Sequence, residues 1–153
     1  MKKLLSLGLS IKTDFEGVGR IYCGNIEIKP NMVARAAEVD RRVVLETIRR
    51  ILKDERLSKF FDGLRSTAAF GSSATVMGFG VIEIIPESAT RPGIISDVLK
   101  LISDRGINIR QVIADDPDLV DNPTAIIVTE RPVPGEILPA LREVKGVKAV
   151  SLL

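Results

Sequence analysis

Arg91, Pro92 and Gly93 are the residues of this 153-residue chain whose types and spacing best suit ligand chemistry. They stand between an apolar run ending at Pro86 and an amphipathic run opening at Ile94. A helix that starts near Pro92-Gly93 presents backbone N–H groups without intrahelical acceptors and the positive end of its dipole, and both favour a carboxylate. Gly93 lets a ligand approach the backbone closely. This is the chemistry of binding, and the composition argues against bond-making. Histidine is absent, which removes Ser-His and Cys-His nucleophile pairs, His zinc sites and imidazole acid-base catalysis. Cys23 is the only cysteine, so there is no internal disulfide and no Cys-based metal site. No carboxylate pair or lysine is marked out by spacing as a catalyst, and a non-enzymatic protein without metal or cofactor is expected.

A second chemistry lies in the charge distribution. Residues 1–74 carry 14 Lys and Arg against 9 Asp and Glu, whereas residues 75–153 carry 8 against 11. The first part suits a polyanion and the second does not. Within the basic part, a helix running from Arg41 towards Lys53 would turn Arg41, Arg42, Leu45, Glu46 and Arg49 outward. In a DNA major groove these residues would face bases and phosphates. Asp115, Asp116, Asp118 and Asp121 lack the glycine and terminal glutamate of a calcium loop and read as a solvated turn. Gly78-Phe79-Gly80 precedes a strand where a dinucleotide fingerprint would follow one.

These residues need elements to hold them. Residues 81–85 alternate as a strand, with Ile82 and Ile84 on one face and Val81, Glu83 and Ile85 on the other. Ile94, Ile95, Val98, Leu101 and Ile102 then form the stripe of a helix packed on a sheet, and Gly106 stands at its left-handed cap. Strands over 107–114 and 124–130 flank a polar turn with two prolines. A helix over 135–145 stops at Gly146, and a last strand covers 147–152. The order strand-helix-strand-strand-helix-strand predicts a ferredoxin-like split βαβ unit over 80–153, with helices on one sheet face. Its other face stays apolar, so an identical chain is expected to cover it.

Residues 66–79, rich in Ser, Thr, Ala and Gly, read as a linker. Before it, residues 1–65 predict a small, mainly helical basic domain with a short β-hairpin about Gly24-Asn25. Asn31 is placed to cap a helix over 32–38 and Asp40 a longer one from Arg41, with helix continuing past Asp54 through Leu57, Phe60, Phe61 and Leu64. The fold class is α+β. The opening MKKLLSLGLSIKTD lacks a cleavage site and reads as a helix or strand. No run approaches the roughly 18 apolar residues of a membrane span, so a cytoplasmic protein is expected.

The C-terminal unit resembles an ACT domain. The likeness is carried by the element order, by Arg91-Pro92-Gly93 opening the first helix and by Gly106-Ile107-Asn108-Ile109 leading into the second strand. That resemblance implies an effector, an amino acid by the family's habit, held at a boundary between two subunits. Ala89, Thr90, Arg91, Pro92, Gly93, Ile94 and Ile95 are implied on one side, and Asn108 with Ile109 as the second group. Where the family often has Asp or Asn before Arg-Pro-Gly, this chain has Thr90, a weaker partner for an ammonium group.

Residues 33–48 resemble a helix-turn-helix: Ala34 is the small contact residue, Val39 the apolar plug of the turn, Asp40 the cap, and Val44 with Ile48 the inner face. Glu38 replaces the usual turn glycine. Together the halves resemble archaeal predicted regulators of amino-acid metabolism. The implied protein is a homodimeric ligand-sensing regulator with double-stranded DNA as candidate partner. The alternative is a regulatory subunit that docks on a biosynthetic enzyme without DNA.

Overall fold

A computed structural model describes all 153 residues and divides them into two compact units, Met1–Ala68 and Ala69–Leu153. The first unit holds helix α1 (Lys2–Ser6), strands β1 (Ser10–Thr13), β2 (Gly19–Cys23) and β3 (Ile26–Ile28), then helices α2 (Pro30–Ala36), α3 (Arg41–Lys53) and α4 (Glu55–Gly63). The strands form an antiparallel meander in the order β1-β2-β3. Ile11 and Ile21 of this sheet pack with Leu4, Val33, Ala34, Val44, Ile48, Ile51 and Phe61 in one core.

Several boundaries in this unit differ from expectation for identifiable reasons. The first helix of the pair begins at Pro30, with no cap from Asn31, because a proline at the first helical position is already set to helical φ and lacks only an N–H that would be unsatisfied. Helix does not run through Asp54. That residue is extended (φ −101°, ψ 116°), and its Oδ1 accepts from the N–H groups of Arg56 and Leu57 at 2.9 and 3.0 Å, starting α4 afresh. β1 adds a third strand to the expected hairpin.

The second unit contains β4 (Gly80–Pro86), α5 (Ile94–Ser103), β5 (Ile109–Ala114), β6 (Ala125–Thr129), α6 (Leu138–Arg142) and β7 (Val147–Leu152). Its sheet is antiparallel in the order β5-β6-β4-β7. Ile82, Ile84, Ile127 and Val150 meet Val98 and Ile102 of α5 and Ile137 and Leu141 in the main core. The expected helix over 135–145 shortens to a 3-10 turn, Gly135–Ile137, followed by five α-helical residues. Pro139 explains the late start, since a proline is tolerated only in a helix's first turn.

The segment read as a linker contains structure of its own. Gly71–Met77 forms a 3-10 helix whose Ala74 packs with Val81 and Val128 on the sheet face opposite α5 and α6. Part of the face expected to await another chain is therefore covered from within this unit. Gln111 Oε1 accepts from Phe70 N–H at 2.9 Å, and Arg110, bulged from the β5–β6 register, lies 4.3 Å from the Phe79 ring.

Candidate ligand-binding site

The loop between β4 and α5 borders the candidate site. β4 ends at Pro86, which cannot continue the ladder, and Gly93 takes φ 95° immediately before α5, a conformation that glycine adopts without side-chain strain. Gly93 O is then used by α5, accepting from Asp97 N–H at 3.0 Å and Ser96 Oγ–H at 2.7 Å. Gly146 (φ 97°) permits the loop to pack: a Cβ there would lie 2.8 Å from Arg91 Cδ and 3.0 Å from Ile94 Cδ1.

Beside this loop is a cavity of about 240 Å³, with Ile84, Ile94, Ile95, Ala114 and Ala125 among its apolar walls. Arg91 and Asp115 are its only charged lining residues. Arg91 is half-buried and belongs to none of the chain's salt bridges. Asp115 sits at the mouth of the β5–β6 connection, where its Oδ2 accepts from Thr124 N–H at 3.0 Å and Thr124 Oγ1–H at 3.3 Å. An apolar recess with one unpaired cation and one carboxylate suits a small polar ligand with an apolar body.

Of the residues expected here, Ala89, Arg91, Gly93, Ile94 and Ile95 line the cavity. Thr90 and Pro92 do not. The Thr90 hydroxyl is 2.9 Å from Ser88 Oγ and borders an adjoining recess that shares Pro86, Ala89, Pro123 and Thr124 with the cavity. Asn108 and Ile109 lie at the far end of β5, about 17 Å of strand from Ala114. Asn108 is already engaged, donating from Nδ2 to Glu130 Oε2 at 3.0 Å and from its backbone to Oε1 at 3.3 Å. These bonds, the side-chain one foremost, hold the Glu130 carboxyl below its ordinary range. Sequence reasoning missed Asp115, Thr124 and Ser96 as lining residues. The available signal was position: Asp115 directly follows an apolar strand, whereas its acidic neighbours lie within the turn.

In the first unit, Ala37–Asp40 joins α2 to α3. Glu38 is the only non-glycine residue with positive φ, at 53°, so it adopts the conformation expected of a turn glycine. Asp40 Oδ1 accepts from Arg42 N–H at 2.7 Å and caps α3. Arg41, Arg42, Glu46 and Arg49 are exposed, but Leu45 is half-buried and borders a groove with Gly17, Val18 and Gly19. Leu45 thus faces the groove beside the β1–β2 loop. Arg49 pairs with Glu46 at 3.3 Å. Val39 is 41% exposed and does not plug the turn, and Val43 is likewise exposed; both border a recess with Leu4.

The sheet order and the helices on one face define a ferredoxin-like class of module. Residues 82–146 match the family model of the ACT domain, so the C-terminal half carries an ACT domain. A similar solved structure is the ACT domain from GTP pyrophosphokinase of Chlorobium tepidum, 22% identical, covering 49% of this chain and 96% of that chain with a TM-score of 0.38. No curated protein matches the chain. No helix is long and apolar enough to cross a membrane.

Proposed function

We propose that this chain is a non-enzymatic cytoplasmic regulator of amino-acid metabolism whose ACT domain binds a small metabolite, an amino acid, and thereby biases a DNA-binding N-terminal unit. The observation that carries the reading is Arg91, a half-buried cation without an ion-pair partner, lining an apolar cavity where α5 begins. Arginine and the helix terminus together suit a carboxylate. The effector acts only through different affinities for two arrangements of the protein.

The working form is a homodimer. β5 is an edge strand with one strand neighbour, and two-fold antiparallel pairing with its copy sets the partner's Asn108 near Ala114 of the first chain. Such pairing unites the two groups that one chain keeps about 17 Å apart along β5. A panel of amino acids at millimolar concentration is expected to raise the melting temperature of the full chain with at least one member. A flat response across the panel rejects the sensor.

For the N-terminal unit, Arg41 and Arg42 on the exposed start of α3 support double-stranded DNA as partner. Binding is expected to weaken with salt, and Arg41→Ala/Arg42→Ala to reduce the magnitude of the log–log salt slope by about 2. The second reading, docking on an enzyme, is favoured by the half-buried Leu45 and the Glu46–Arg49 pair, which are poorly suited to phosphate. Recovery of one enzyme with no DNA affinity selects it.

A further inference from the structure

We infer that Asp115 receives the ammonium group of the effector, so that the site selects a zwitterion with a small branched apolar side chain. The inference rests on the reading of the cavity as an effector site. Two charged side chains line that cavity, Arg91 and Asp115, and neither belongs to any of the chain's salt bridges. A ligand carrying a carboxylate and an ammonium pairs with both. A ligand with only one of these groups leaves the other side chain, of the same sign as the ligand, unmatched in an apolar recess, which is costly.

Asp115 is held for this role. Its Oδ2 takes both Thr124 hydrogen bonds, at 3.0 and 3.3 Å, while Oδ1 takes part in none of the side-chain bonds. Thr90, the residue before Arg-Pro-Gly, does not line the cavity, and its hydroxyl lies 2.9 Å from Ser88 Oγ. The remaining walls decide the side chain. Ile84, Ile94, Ile95, Ala114 and Ala125 are apolar, and about 240 Å³ exceeds the roughly 150 Å³ that admits benzene yet falls below the roughly 300 Å³ where drug-sized sites begin. A single amino acid with a short branched aliphatic side chain matches that space.

The test is calorimetric titration of the full chain with L-valine, with its deaminated counterpart 3-methyl-2-oxobutanoate and with its decarboxylated counterpart isobutylamine. Valine is expected to bind at least about tenfold more tightly than either. Asp115→Asn keeps an oxygen for Thr124 and removes the charge. It is expected to weaken valine at least about tenfold, to narrow the valine-to-oxoacid ratio and to leave the unliganded melting temperature in place. Equal affinity of wild type and Asp115→Asn for valine overturns the assignment of Asp115 while leaving the effector site standing. Tighter binding of the oxoacid than of valine by the wild type overturns it without recourse to the variant. Binding of a different amino acid with no response to valine, leucine or isoleucine overturns the side-chain selection. Failure of every amino acid to bind removes the effector-site reading itself.

Discussion

Glu38 shows how a single residue can hold a turn against its own preference. At φ 53° its Cβ meets the steric cost that makes the left-handed region rare for non-glycine residues, about 1–2 kcal/mol. Glu38→Gly relieves that strain and loses some unfolded-state restriction, so a net gain of about 0.5–1 kcal/mol is expected in urea unfolding. Asp14 supplies a pH-dependent counterpart. It accepts from Val18 N–H at 2.8 Å and Arg20 Nε–H at 2.9 Å, with Glu16 N–H a further donor at 3.0 Å. These bonds, that from Val18 foremost, lower its pKa. A carboxyl with a depressed folded value stabilises fully above its unfolded value and loses that contribution as pH falls through the folded value. Asp14→Asn should therefore flatten the acid side of the stability-versus-pH curve and change it little in shape near neutrality. At this scale the sequence was a partial guide: Arg91 and Gly93 were legible because a helix start gives them a chemical reason. Asp115 was hidden in a cluster whose members look alike until the hairpin separates the one at the strand end from those in the turn.

Among the elements, long stripes were readable and short interruptions were not. α5 buries Ile94, Val98 and Ile102, and the periodic pattern alone placed it, as alternation placed β4. The break at Asp54 escaped the same reasoning because apolar residues continue on either side, while the decisive interaction is one carboxylate accepting two N–H groups. Asp54→Ala removes that cap and should cost about 1–2 kcal/mol, seen as an earlier urea midpoint with an unchanged slope. The 3-10 helix Gly71–Met77 was missed for a different reason. Its composition is that of a linker, and only Ala74 is buried within it, so its place depends on the tertiary surface offered by Val81 and Val128.

For the whole molecule, the two cores share no residue: one gathers around Ile11, Ile21 and Ile51, the other around Ile82, Val98 and Ile127. Thr67, Ala68 and Ala69 between them are exposed. Brief digestion with elastase, which favours small residues, should cut there first and yield two fragments that each retain protected amides in hydrogen exchange. Division into two units was foreseeable from the charge contrast and from the change in pattern at the Ser-Gly-rich stretch; the extra order within that stretch was not. Within the second unit, β4 is the strand that ties the core to the loop. One end of this seven-residue strand opens into the Arg91 loop, and the other follows the 3-10 helix Gly71–Met77. Flanked by β6 and β7, it is a central strand with both edges paired. It spans about 20 Å, and its one register break, between Ile85 and Pro86, falls at the end next to the Arg91 loop, so the strand is least regular where the cavity begins.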